Sequence, residues 1–345
     1  MKIVVDENIP YIRTALERIS DQVAYINGKS FSPQIIRDAD ALIIRTLTRC
    51  NRALLEGSRV QFIATATIGY DHIDIDYCKE AGISWTNCPG CNASSVAQYV
   101  ESTLLLEARR RKQPLSRLTM GVIGVGHVGS KVADVARHYG MHVRLCDPPR
   151  AESEGAAAFT DIETVAAESD IISLHVPLTY TGKYATHHLA NQALFVRCTR
   201  KPLFINTSRG EVADTQAILH ALDSGQIGEA AIDVWEHEPT INRELLSKAW
   251  IATPHIAGYS ADGKANATRM SLESLCRHFR ISTDFQILPP EPASPIIRAA
   301  SETDALLSIY NPMTDSERLK SQPEDFESLR ANYPLRREKT AYVFR

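Results

Sequence analysis

Residues 119–147 read TMGVIGVGHVGSKVADVARHYGMHVRLCD. A short β-branched run leads into Gly124-Val125-Gly126-His127-Val128-Gly129. Val128, Val132 and Val135 then follow at helical spacing, and a second run, HVRLC, ends at Asp147. The pattern G-x-G-x-x-G alone marks little more than a tight turn. Here it stands between a strand and a helix, with an acid roughly 20 residues on, and that context gives it a mechanism. The first glycine turns the chain, the second lets a pyrophosphate approach the backbone, and the third lets helix and strand pack closely. Phosphates then rest on the positive end of the helix. Gly124, Gly126, His127, Val128 and Gly129 are therefore the candidate phosphate cradle. Asp147 is placed to accept hydrogen bonds from adenosine ribose hydroxyls and to repel a 2′-phosphate, so NAD is expected rather than NADP.

The same rhythm extends to both sides. Further short apolar strands are expected at 170–176, 202–207, 229–235 and 250–254, with helices between them such as 217–224. Six strands make a full doubly wound domain. Before it, KIVV (2–5), ALIIR (41–45), QFIAT (61–65) and ISW (83–85) alternate with helical patterns at 11–19 and 32–39. That is the mark of a second, mostly parallel sheet. Long helices are expected at 93–111, ending in RRRK, and at 261–279. The tail opens with LPPEPASP and is richer in charge, Pro and Ser, with a helix near 324–332. The expected fold is α/β, with two doubly wound parallel-sheet domains and a small C-terminal α+β module. A Rossmann nucleotide domain (96–256) is inserted in a flavodoxin-like substrate domain (1–95 and 257–284), and residues 285–345 form the module. A hinge near 92–100 and 256–262 would let the cleft between the two domains close.

Composition narrows the function. The 345 residues carry a formal net charge of −3, which gives no bulk electrostatic reason to bind nucleic acid or an anionic membrane. No apolar run approaches ~20 residues, so no membrane span is expected. The opening MKIVVDENIP reads as a strand rather than a leader. Seven scattered cysteines fit a reducing cytoplasm better than a disulfide framework.

Three residues follow strand ends in the second series: Arg209 in INTSRGEV, Glu238 in DVWEHEP and His255 in TPHIAGY. Ligands bind at the carboxyl ends of strands in open α/β sheets, so these three loops can converge on one crevice. Moving a hydride from a carbon that bears a hydroxyl requires a base for the hydroxyl proton, and a histidine serves near neutral pH. A carboxylate beside it fixes the tautomer and favours the imidazolium formed. A guanidinium binds a substrate carboxylate in a fork and polarises the developing carbonyl. Singly, these residues have ordinary readings: a loop salt bridge, a solvated acid and a packed histidine. Together, beside the glycine loop, they point to chemistry.

The set GVIGVGHVG, INTSRGEV, DVWEHEP and TPHIAG resembles the D-isomer-specific 2-hydroxyacid dehydrogenases over about residues 1–280. The resemblance implies that Arg209, Glu238 and His255 are catalytic. ATATIGYDHID, CPGCNASSVAQYV, LCDPPR and the added tail resemble the branch of that family that oxidises a small phosphorylated 2-hydroxy acid. It implies a homodimer through the C-terminal module, with no nucleic acid and no membrane as partner. It also implies that Thr46, Thr67 and Tyr259 contact substrate. Asp147, Val176, Thr207, Ser208, Asp233 and Gly258 would line the cofactor site, Val176 through backbone or packing alone. From the residues themselves the partners of the phosphate stay open. Arg45 and Arg49 follow a strand end, while Arg336 and Arg337 either reach a neighbouring subunit's cleft or form a solvated surface pair. The rival functions are oxidation of another 2-hydroxy acid, phosphoglycerate or glycerate, and non-catalytic sensing of NAD on the same fold.

Two signals are set aside. Cys88-Pro-Gly-Cys91 has redox or zinc spacing but reads as a turn entering the long helix, since no second ligand pair accompanies it. His187-His188 reads as a loop rather than a metal pair, on the argument that adjacent side chains point apart. No metal is expected. His175, after an apolar strand, is expected to be packed or near the cofactor.

Overall fold

The computed structural model describes residues 1–345. Contacts divide the chain into two units, one of residues 1–92 with 260–293 and one of residues 93–259 with 294–345.

The first unit is built on β1 (Lys2–Asp6), β2 (Gln22–Ile26), β3 (Ala41–Ile44), β4 (Phe62–Thr65) and β5 (Ser84–Thr86). All pair in parallel, in the order β2-β1-β3-β4-β5. The central strands β3 and β4 are buried along their whole length, which is why ALII and FIAT read as unbroken apolar runs. One strand, β2, escaped the sequence reading. It lies at the sheet edge and is half-exposed, although its residues 23–26, VAYI, form a short apolar run like those of the inner strands. Its neighbouring helices are also shorter than expected, Arg13–Leu16 and Pro33–Ile36. The helix Ala261–Phe279 packs on β4, starting at Ser260, whose Oγ accepts from the Gly263 amide at 2.8 Å.

The second unit holds β6 (Thr119–Ile123), β7 (His142–Cys146), β8 (Ile171–Leu174), β9 (Leu203–Asn206), β10 (Glu229–Ile232) and β11 (Ile251–Ala252). They form one parallel sheet in the order β11-β10-β9-β8-β6-β7. The winding direction reverses between β6 and β8, so the crevice beyond their carboxyl ends is where such a sheet takes a ligand. One face is covered by the helices Ala93–Arg111 and His127–His138 around Tyr99, Leu104, Val132 and Ala136. The other face packs Phe195, Phe204, Trp235 and Leu245.

The tail, residues 294–345, packs within this second unit. Its helices Glu302–Ile309, Pro312–Ser321 and Phe326–Ala331 bury Leu306, Leu307, Leu319 and Phe326 in the two cores just described. The reason is an open sheet edge: β11 is only two residues long, and Ser316 Oγ accepts from the Ala252 amide at 2.9 Å. Two further short strands, β12 (Ile296–Ile297) and β13 (Val343–Phe344), pair in parallel. No helix is long and apolar enough to cross a membrane.

Candidate active site

The six parallel strands of the second unit bring their following loops to one edge of the sheet. The glycine turn comes first. At Gly124, φ is +86° and an added Cβ would sit 2.6 Å from the His175 carbonyl oxygen and 2.7 Å from Val176 Cγ1. At Gly129 it would sit 1.9 Å from the Gly124 carbonyl oxygen. Both glycines are demanded by the protein itself. Gly126 is different, because nothing lies within 4 Å of the place a Cβ would take. It caps the helix His127–His138, and His127 beside it is exposed, so the concavity at the helix N-terminus is open to a pyrophosphate. The turn therefore fits the dinucleotide expected from the sequence.

Asp147 follows β7 and caps the helix Pro148–Glu154. Its Oδ2 accepts from the Val125 amide at 2.8 Å and its Oδ1 from the Arg150 amide at 3.1 Å. One lone pair on each oxygen remains for ribose hydroxyls. Arg150, the side chain that would favour a 2′-phosphate, is instead held by Glu154 at 2.7 Å and by the Val125 carbonyl at 2.5 Å.

Beyond β8, burial pushes the His175 imidazole down to about 3, so it stays neutral. Its ring lies between Ser173 Oγ (2.8 Å) and Thr207 Oγ1 (3.4 Å). Beyond β9, Asn206 organises the next loop. Its Oδ1 accepts from the Ser208 amide (3.1 Å) and Ser208 Oγ (2.8 Å), and its Nδ2 donates to the Arg209 carbonyl (3.0 Å). Arg209 is half-buried, with Nη1 donating to the Ser208 carbonyl at 2.7 Å. At Gly210 a Cβ would lie 2.0 Å from the Trp235 carbonyl carbon, so only glycine lets the Arg209 loop rest on the turn that carries Glu238.

Glu238 and His255 meet. His255 Nδ1 lies 2.8 Å from Glu238 Oε2, with the side chains 27% and 20% exposed. Glu238 Oε1 accepts from the Trp235 amide at 2.9 Å. Burial works to raise the Glu238 carboxyl, but His255, the Trp235 amide and Arg330 outweigh it and hold it below the usual range. With the carboxylate on Nδ1, the Nε2 of His255 is left as the acceptor. His255 has φ +56°, a conformation rare outside glycine that persists only when the surroundings impose it.

Asp233 imposes it. Expected only as a cofactor contact, this buried carboxylate holds the His255 loop. It accepts from Thr253 Oγ1 (2.6 Å), the Ile256 amide (2.8 Å) and the Ala257 amide (3.0 Å), and one lone pair of Oδ2 remains. Burial raises its pKa against these bonds. Tyr99 extends the brace through Thr253 at 2.9 Å. Gly258 and Tyr259 follow, both half-buried. Arg336 and Arg337, read as surface or inter-subunit groups, are buried at 5% and 8% exposure. Arg336 donates to the Ala257 carbonyl at 2.5 Å and lies over the Tyr310 ring, so it braces the same loop from the tail.

In the first unit, Arg45 and Thr46 follow β3 and Thr67 follows β4, at the carboxyl edge of that sheet. Thr46 is exposed, Arg45 donates to the Asn8 carbonyl at 3.2 Å, and Thr67 donates to the Gly69 carbonyl at 2.8 Å. Sequence reasoning missed Asn206, Gly210, Thr253 and Arg330. Asn206 and Gly210 flank Arg209 and carried a loop signal; Thr253 and Arg330 carried none.

The two signals set aside in the sequence lie as follows. All seven cysteines are free and buried, and burial pushes the Cys88 and Cys91 thiols to about 11 and about 12. The two histidines do not point apart as argued. Their rings stack at 4.0 Å, His188 has φ +51°, and His188 Nε2 pairs with Glu236 at 2.8 Å.

The family described as "D-isomer specific 2-hydroxyacid dehydrogenase, NAD binding domain" matches residues 92–257. Fold, glycine turn and this match define an NAD-dependent dehydrogenase of 2-hydroxy acids. The erythronate-4-phosphate dehydrogenase of Bacteroides thetaiotaomicron is 60% identical over 342 residues, covering 99% of this chain and 98% of its own. The chain belongs to the erythronate-4-phosphate dehydrogenase family. Among solved structures, D-lactate dehydrogenase from Aquifex aeolicus, complexed with NAD and lactic acid, is 27% identical with a TM-score of 0.64. It covers 81% of this chain and 96% of its own. The NAD+-bound 3-phosphoglycerate dehydrogenase of Entamoeba histolytica is 27% identical with a TM-score of 0.67, covering 84% and 98%.

Proposed function

We propose that the chain oxidises 4-phospho-D-erythronate to 3-hydroxy-2-oxo-4-phosphooxybutanoate with NAD, a step toward pyridoxal 5′-phosphate. The observation that carries the substrate is the 60% identity to an erythronate-4-phosphate dehydrogenase over nearly the full length of both chains. The glycine turn and Asp147 would hold NAD, which when bound would supply the hydride acceptor.

In this reading Arg209 binds the C2-side carboxylate and polarises the carbonyl as it forms. His255 Nε2 takes the hydroxyl proton as the C2–H bond gives up its hydride. Glu238 keeps the imidazole in the needed tautomer and stabilises the imidazolium. The 2.8 Å contact between His255 and Glu238 supports these roles. Val176, Thr207, Ser208, Asp233 and Gly258 line the cofactor site, and Thr46, Thr67, Tyr259 and Arg45 contact substrate. Domains at 1–95 with 257–284 and at 96–256, a dimer formed through residues 285–345 and a cytoplasmic location complete the proposal.

The test is turnover of 4-phospho-D-erythronate beside 3-phosphoglycerate, D-glycerate and D-lactate, with a 2-oxo acid added to one set to recycle any retained NADH. A kcat/KM for the phosphoerythronate at least tenfold above the others is expected. Preference for another acid would discard the substrate, and inactivity with all would favour the NAD sensor.

A further inference from the structure

One guanidinium of the tail reaches the His255 pair within the second unit. Arg330 stands on the helix Phe326–Ala331, which Phe326, 2% exposed, anchors in the core. Its Nε donates to Tyr259 Oη at 3.0 Å. Its Nη1 lies 4.0 Å from Glu238 Oε2, the oxygen that His255 Nδ1 meets at 2.8 Å. Its Cζ lies 5.6 Å from the centre of the Tyr259 ring, and Tyr333 packs edge-on against that ring at 6.2 Å. A single side chain thus spans the carboxylate behind the proposed base and the tyrosine proposed beside the substrate.

We propose that Arg330 is a positioning residue: it holds the Glu238 carboxylate and the Tyr259 hydroxyl in one arrangement and so makes the His255 base depend on the tail. The inference rests on the reaction assigned above. A half-exposed ion pair at 4.0 Å stabilises the fold little. The effect is geometric. A planar guanidinium presents its donors in a fixed fork, which a lysine ammonium cannot copy between two acceptors. Small misplacements of a reacting group cost rate well before they cost stability.

The test compares Arg330→Ala, Arg330→Lys, Tyr259→Phe and the double variant Arg330→Ala/Tyr259→Phe in the full chain. It reads kcat and KM for 4-phospho-D-erythronate, NADH affinity by fluorescence, and Tm. Arg330→Ala is expected to lower kcat about tenfold with NADH affinity and Tm kept. Lysine should restore only part of the rate. The alanine change should cost less in the Tyr259→Phe background, because one arm of the fork is already gone. Should alanine lower Tm, Arg330→Gln, which keeps the stem over Tyr259, repeats the comparison. Wild-type kcat in Arg330→Ala overturns the proposal, and so does a rate loss that adds to that of Tyr259→Phe and follows Tm. A wild-type enzyme that prefers another 2-hydroxy acid overturns the substrate reading alone. A tenfold loss in Arg330→Ala on that acid would still support positioning.

Discussion

A methyl group added at Gly129 would sit 1.9 Å from a backbone oxygen, whereas one added at Gly126 would meet nothing within 4 Å. The two positions share a motif and differ in what demands the glycine. Gly129→Ala should destabilise the fold by about 1–3 kcal/mol, the usual range for overpacking. Gly126→Ala should leave Tm unchanged and weaken NADH binding about tenfold or more, because the methyl takes space left for the pyrophosphate. Thermal melts and fluorescence titration of both variants read this directly, and equal loss of Tm in both would contradict it. This contrast also shows what was legible at the scale of single residues. Glycines, Asp147 and His255 stood out because their chemistry demands a residue type at a local spacing. Asp233 was noticed as a cofactor contact, but its hold on the Ile256 and Ala257 amides was not, because those partners lie over twenty residues away. Arg330 was invisible for the same reason, being brought to Tyr259 only by the folding of the tail.

At the scale of elements, the long helix Ala93–Arg111 illustrates both success and omission. Its bounds and its basic end were readable from sequence. Its anchor was not. Glu107 is fully buried and receives Arg110 at 2.7 Å and Arg111 at 2.5 Å. Burial alone would raise its carboxyl, but the two arginines outweigh burial and hold it below the usual range. A depressed carboxylate stabilises the fold above the free-glutamate value near ~4.3, and that stability is lost as pH falls through the depressed value. Glu107→Gln should therefore cost about 1–3 kcal/mol at pH 7. The gap to wild type should close as the pH is lowered through the acid range, which urea denaturation at two pH values checks. A gap that stays constant would mean that packing, not charge, anchors the helix end. The strands show the complementary lesson. Buried β3, β4, β8 and β9 declared themselves as apolar runs, while β2, at an edge and half in solvent, was passed over although VAYI is a run of the same kind.

At the scale of the whole molecule, composition and the βα rhythm foretold two parallel sheets, while nothing in the sequence told which of them the tail packs on. Pro-rich sequence at 288–295 suggested a boundary, and the two units do part between 293 and 294, the helices after it filling the cores of the second unit. The tail leaves apolar side chains exposed at its end, Leu335 and Val343 each at 55% and Phe344 at 45%, besides Ile296 at its start and Leu288 just before it. Two strands of two residues are marginal by themselves and gain from a covering surface. The proposed dimer would provide one. Val343→Glu with Phe344→Glu should shift the protein toward monomer in sedimentation velocity, and an unchanged dimer would place the interface elsewhere.

In the proposed reaction a histidine at the carboxyl edge of the second sheet takes the hydroxyl proton while the hydride leaves the carbon that bears that hydroxyl. The most direct measurement is formation of NADH absorbance after mixing the NAD-loaded protein with 4-phospho-D-erythronate, in wild type and in His255→Ala. Rapid formation is expected in wild type and a rate about 10²–10⁴-fold lower in the variant, with NADH affinity kept. Near-wild-type formation in His255→Ala would contradict it.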